Sequence, residues 1–244
     1  MAPRVPVLLR VLALLFAAEF LVLAWEPVSR SDWALENALS VAAVAVLWLS
    51  HRAFPLSRLS YLLIFAFLSL HEIGAHYTYS LVPYDEAWRR LFGASLNESL
   101  GLERNQYDRF VHFCYGLCFA YPIRELFLRI ANVKGLWGYL LPLDVTMSTS
   151  MIYELVEWGA AVFVGGDLGQ SYLGTQGDVW DAQKDMALAT LGAIVTIAIA
   201  FAANALLRRD FARELAESVR VKHPEPLGEE ALERLVDERE EPVR

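Results

Sequence analysis

The chain has 244 residues, 21 Lys and Arg against 29 Asp and Glu, and a formal net charge of −8; 56% of its residues are hydrophobic and only 20% are charged. A soluble domain carries about a quarter charged residues. Here the apolar residues come in long blocks and the mean hydropathy is +0.34, which excludes an ordinary soluble enzyme. No basic stripe interleaves with aromatics, so nucleic acid is excluded as a partner.

The blocks predict an all-α fold, a polytopic membrane bundle of about six transmembrane helices. The first block covers 5–25, with Arg4 and Arg10 at its start. Its end, Phe20 to Trp25, lacks a small-x-small cleavage site, so it reads as a retained span rather than a cleaved signal. Further blocks follow at 34–50, 59–79, 109–131, 137–163 and 185–207. No internal repeat is evident. Arg52, Arg58, Arg124, Arg129, Lys134, Arg208 and Arg209 fall beside alternate ends of these blocks, while the bases of the other connections are spread over longer segments. This bias predicts a multi-pass protein of the inner (plasma) membrane with both termini cytoplasmic and the loops 80–108 and 164–184 outside. Residues 1–207 then form the transmembrane domain. Residues 208–244, with 11 acids and 8 bases, form a charged cytoplasmic tail. The tail reads as two short polar helices separated by His223-Pro-Glu-Pro226, solvated or lightly membrane-associated.

The ionisable residues gather near the outer ends of four spans. His71, Glu72 and His76 end the third, and Asp108, Arg109 and His112 open the fourth. The fifth carries Glu154 and Glu157, and the sixth is entered through Asp178, Asp181 and Asp185. Ionised carboxylates cost several kcal/mol in hydrocarbon, so such groups face a bundle interior, a partner or water. Residues three or four apart share a helical face. Asp108 therefore lines up with His112, Glu154 with Glu157, and Glu72 with His76. Histidines and carboxylates so spaced on facing helices are how bundles build metal sites. The expected catalytic set is Asp108, His112, Glu154, Glu157, Asp181 and Asp185. The expected metal ligands are Glu72, His76, His112, Glu154 and Glu157, and a divalent metal is the only cofactor this chemistry suggests.

Plainer readings stand beside these. Asp178 and Asp181 suit a helix N-terminus, and a buried histidine such as His76 can be hydrogen-bonded packing. His71 and His76 are one residue too far apart for an H-E-x-x-H site, about 140° around the helix. Cys114 and Cys118 share an apolar face and read as small hydrophobes. The glycine-rich segment from Gly165 to Gly177 has no Lys for a P-loop and reads as a mobile or re-entrant outer loop. Asn97-Glu98-Ser99 matches a glycosylation sequon, and Trp158, Trp180, Tyr153 and Tyr172 suit an interfacial belt.

The segments His71-Glu-Ile-Gly-Ala-His76-Tyr-Thr-Tyr79, Asp108-Arg-Phe-Val-His-Phe113, Tyr153-Glu-Leu-Val-Glu-Trp158 and Gly174-Thr-Gln-Gly-Asp-Val-Trp-Asp181 resemble the YjdF-type inner-membrane protein family. The likeness covers about residues 10–207. It implies location and topology, and no activity. A looser similarity reaches the VanZ-like proteins associated with teicoplanin resistance, through Asp108, Arg109, His112, Phe113, Glu154 or Glu157, Asp181, Asp185 and Leu191-Gly-Ala193. Asp178 and Ala189 depart from that pattern, which has Arg and Asn there.

Three functions follow from one outward pocket. In the first, an enzyme acts with or without a metal on a lipid or envelope substrate, with Asp108 orienting His112. The second is a non-catalytic module that binds or transports a lipid or ion. Transport is the weaker form, because transporters place polar groups at the midplane and often show inverted repeats. The third is a network that only pins helices together. Membrane lipid is the expected partner, and no protein partner is indicated.

Overall fold

The computed structural model describes residues 7–164, 175–222, 228 and 233–236. The described residues contain no strand. The helices are α1 (Val7–Leu23), α2 (Arg30–Ser50), α3 (Arg58–His76), α4 (Tyr84–Phe92), α5 (Leu96–Leu100), α6 (Tyr107–Arg129), α7 (Trp137–Val164), α8 (Asp181–Leu207) and α9 (Phe211–Ser218). Three of them, α2, α3 and α8, are long and apolar enough to cross a membrane by length and composition. Large apolar side chains stand open around the bundle, Leu49 at 80% and Phe163 at 95% exposure. Such a surface suits hydrocarbon and not water.

Caps set the helix ends. Ser29 accepts from the Asp32 N–H, so α2 starts four residues before its apolar block. Ser57 accepts from Ser60 N–H at 3.2 Å and starts α3. That helix stops at His76 because Thr78 and Tyr79 take positive φ of 53° and 54°. The reversal lays the Tyr79 ring over Gly74, where an added Cβ would stand 2.6 Å from a ring carbon. Gly93 and Gly101, both left-handed, end α4 and α5. These two short helices occupy what the sequence suggested was a plain outer loop. Asp85 joins them: the Asn97 N–H at 2.9 Å and the Ser95 hydroxyl at 2.8 Å hold its carboxyl below the usual range. The sequon residue Asn97 accepts from the Tyr84 hydroxyl at 2.7 Å.

Helix α6 is central, packed on α3, α7 and α8; α1 and α2 lie on α3. The tightest seam is α6 on α8. A Cβ on Gly116 would lie 1.8 Å from the Ala189 carbonyl oxygen, and one on Gly192 would lie 2.1 Å from that of Phe113. Ala120, Ala189 and Ala193 in the same seam are fully buried. Small residues let two backbones touch in this way. Thr196 donates across to the Leu117 carbonyl at 2.6 Å.

The start of the tail is not merely solvated. Glu214 Oε1 accepts from Gly135 N–H at 3.1 Å and Ser218 Oγ from Leu136 N–H at 2.9 Å. Helix α9 thus serves the unpaired N–H groups at the start of α7, and Phe211 packs on Tyr139 and Phe201. The His223–Pro226 break, Tyr172 and the glycine-rich run 165–174 lie outside the described residues.

Candidate functional site

The start of α6 is fixed by Tyr107, whose hydroxyl donates to the Leu70 carbonyl at 2.9 Å on α3. One turn along, Asp108 and His112 face the same way, with Nε2 to Oδ1 at 3.6 Å. The α6–α8 seam brings Asp185 to this pair: one ligand atom from each of Asp108, His112 and Asp185 lies within 4.8 Å of the others. From α7, Glu154 Oε1 stands 3.5 Å from His112 Nε2. Ligands 2.0–2.2 Å from a tetrahedral ion stand about 3.3–3.6 Å apart. The two carboxylate distances to His112 match that spacing, while the Asp108, His112 and Asp185 group is looser and Glu154 stands outside it. Asp185 Oδ1 and Glu154 Oε1 are buried and have no hydrogen-bond partner among the described residues, a costly state for a carboxylate unless something compensates it.

The rim acids are already compensated. Arg104 and Arg109 both reach Asp181, and Arg109 also grips Asp178. Arg104 Nη1 further donates to the Thr175 carbonyl at 3.1 Å. Lys184 Nζ is 2.5 Å from Asp178. Asp181 is therefore a clamp for Arg104; it lines the same cleft as Asp108 and Asp185 but is not among the three grouped ligand residues. Replacing Arg104 by Met leaves Asp181, only 4% exposed, without its main partner. We expect a loss of about 3–5 kcal/mol, with much of it recovered in Arg104→Met/Asp181→Leu. Thermal denaturation in detergent measures both; equal melting of wild type and Arg104→Met would contradict the clamp.

Asp178 sits outside the long helices. Lys184, then the Trp180 N–H, then Arg109 hold its carboxyl far below the usual range. A depressed carboxyl stabilises the fold above its ordinary pKa of about 3.9, and that contribution is lost as the pH falls through the depressed value. The melting-temperature gap between wild type and Asp178→Asn should therefore be full near neutrality and narrow steadily below about pH 4. A gap that widens on acidification would refute this.

Glu157 shares the cleft lined by Asp108, Glu154 and Asp185 and is hydrogen-bonded by Tyr153. The single Tyr153 hydroxyl proton is placed toward Glu36 Oε2 at 3.2 Å, so the phenol oxygen stands between the two glutamates. Glu36 was not among the expected residues, although Asp32, Glu36 and Ser40 form an i, i+4, i+8 stripe and all are buried. Tyr153 and Arg104 were likewise missed, the first read as a belt residue and the second as a loop base.

Glu72 and His76 do not join the cluster. The face they share turns toward α1: His76 Nδ1–H donates to the Leu23 carbonyl at 2.7 Å, and Ser69, three residues before Glu72, donates to Glu19 of α1 at 2.6 Å. Glu72 is fully buried, near Ser40 of α2 and Glu19 of α1. His71 has no free ring nitrogen. Its Nε2–H donates to the Glu36 carbonyl at 3.2 Å, and its Nδ1 accepts from Tyr79 Oη. Cys114 and Cys118 are buried free thiols.

The chain matches the family described as "Predicted membrane protein (DUF2238)" over residues 8–205. It is 37% identical over 182 residues to the inner membrane protein YjdF of Escherichia coli (strain K12), a match covering 72% of this chain and 82% of the relative. No solved structure matches. These comparisons add nothing to the looser VanZ-like resemblance. The family match takes in every candidate residue from Glu72 to Asp185 and all but the last two residues of α8. The chain is an integral membrane protein, similar to YjdF, and it belongs to the DUF2238 family of predicted membrane proteins.

Proposed function

We propose that this is a six-span inner-membrane protein that holds a divalent cation at its outward end, between Asp108, His112, Glu154 and Asp185, and applies it to a lipid or envelope substrate. The observation that carries the reading is the mutual approach, within 4.8 Å, of ligand atoms from Asp108, His112 and Asp185. The unpartnered buried oxygens of Glu154 and Asp185 support it. Mixed imidazole and carboxylate ligands suit zinc, manganese or iron(II). Glu157 would be a second acid in the same cleft, and Asp181 a rim residue. The direct test is elemental analysis of protein purified without chelators. About one divalent ion per chain is expected, and less than about a tenth of that would overturn the reading.

The six-span topology draws support from six helices of 17–28 residues, α1, α2, α3, α6, α7 and α8, lengths that about 30 Å of hydrocarbon requires. Residues 1–207 are then the membrane domain and 208–244 a cytoplasmic tail. In a background with Cys114 and Cys118 replaced by Ala, Ser99→Cys should react with an impermeant maleimide from outside, and Arg220→Cys only after permeabilisation. Reaction of both from one side would refute the topology.

A further inference from the structure

An apolar cavity of about 240 Å³ lies between α2, α3, α6 and α7. Its wall is mostly hydrocarbon, including Leu39, Ala43, Phe67, Val111 and Phe119. Several polar groups in the wall are taken up locally: the Tyr115 and Thr149 hydroxyls bond each other at 2.6 Å, and Tyr79 is spent on His71, while the Ser150 hydroxyl is buried with no partner among the described residues. A chamber of this kind offers water few partners, and apolar cavities smaller than this one stay dry and take up hydrocarbon.

Two openings decide what could use it. Asp108 lines both this cavity and the polar cleft of about 520 Å³ that holds Glu154, Glu157 and Asp185. The cavity and the cleft therefore adjoin at Asp108, and His112 stands on the cavity side. At the side, Leu39 of α2 lines the cavity yet is 53% exposed on the bundle surface. Among the described residues α2 packs on α3 and not closely on α7, which it meets through the Tyr153–Glu36 hydrogen bond. The α2–α7 gap is thus a lateral mouth toward hydrocarbon.

We infer that the substrate is a single-chain amphiphile, with its hydrocarbon chain in the cavity between α2, α3, α6 and α7 and its headgroup in the cleft against Asp108 and His112. This rests on the cation-site reading for the headgroup end and on the cavity alone for the chain. An oxygen-bearing headgroup such as a phosphate ester would ligate the cation. A two-chain lipid would leave its second chain in the mouth between α2 and α7.

The test uses liposomes holding the full-length protein and a dodecyl phosphate with a diazirine near the chain end. After photolysis, adducts should map to the α6 and α7 segments around Phe119 and Thr149. Excess dodecyl phosphate should compete, and inorganic phosphate should not. Ala43→Trp should cut internal labelling by about tenfold and Ala43→Leu by about twofold, at unchanged metal content. If Ala43→Trp does not fold, Ala43→Leu decides alone. Labelling confined to outward residues such as Leu49 and Phe163, and equal in the variants, would overturn the inference while leaving the cation site intact. Internal labelling in protein that binds no metal would uphold the chain seat and overturn the cation reading instead.

Discussion

Gly192→Leu should yield no folded, monodisperse protein, and Gly116→Leu should behave the same way. The Cβ alone would stand 2.1 Å from the Phe113 carbonyl oxygen and 2.7 Å from the Leu117 nitrogen. Both are backbone atoms of a helix that cannot yield locally, so α6 and α8 would have to separate along their length. Overpacking at side chains typically costs 1–3 kcal/mol; a clash with backbone on both sides of a seam belongs at or beyond the upper end. Gly159 supplies the control. It is also helical, but an added Cβ meets nothing within 4 Å. Gly159→Ala should raise stability by about 0.5–1 kcal/mol. Size-exclusion profiles and melting of the three variants check both signs. A folded Gly192→Leu protein with wild-type melting would refute the close seam.

On the proposed cation site, His112→Ala and Asp185→Asn should each lower bound metal by at least about tenfold with membrane insertion intact, because each removes a ligand and neither adds an atom to the Gly116–Gly192 contact. Asp185→Asn is the cleaner variant, since the amide keeps size and polarity. Removing repulsion among Asp108, Glu154 and Asp185 should hold its stability near or above wild type when no cation is present. Added zinc or manganese should then raise the melting temperature of wild type and not of Asp185→Asn. Glu72→Gln should retain its metal, because Glu72 lies near Ser40 and Glu19 and outside the Asp108, His112 and Asp185 group. Full metal retention in both His112→Ala and Asp185→Asn would place any bound ion elsewhere.

The long helices were legible because hydrocarbon demands uninterrupted apolar runs; caps at Ser29 and Ser57 and the Thr78–Tyr79 reversal moved the ends of α2 and α3, while α8 starts four residues before its apolar block, at Asp181, without a side-chain cap. Spacing alone aligned Asp108 with His112. It could equally align Glu72 with His76, since helical periodicity says which residues share a face and not which neighbour that face meets. The contact of His71 with Tyr79 depends on a left-handed turn made without glycine at either residue, which no propensity predicts. Arg104 reaches Asp181 across 77 positions of chain, a pairing no local pattern can carry. Glu36 was legible in principle, through the Asp32–Glu36–Ser40 stripe, but near a span end such acids look interfacial.

The seam between α6 and α8 also sets an order of manufacture. A ribosome completes α6 at Arg129 and reaches Asp181 about fifty residues later, an interval of about 3–10 s at bacterial speeds of synthesis. Throughout that time the groove at Gly116 has no helix to fill it, and Asp108 and His112 wait without Asp185. Asp185 is the last residue of the cluster to be made. A nascent protein stalled before Asp181 can hold five of its long helices against one another, α1, α2 and α6 on α3 and α7 on α6, but cannot complete the centre.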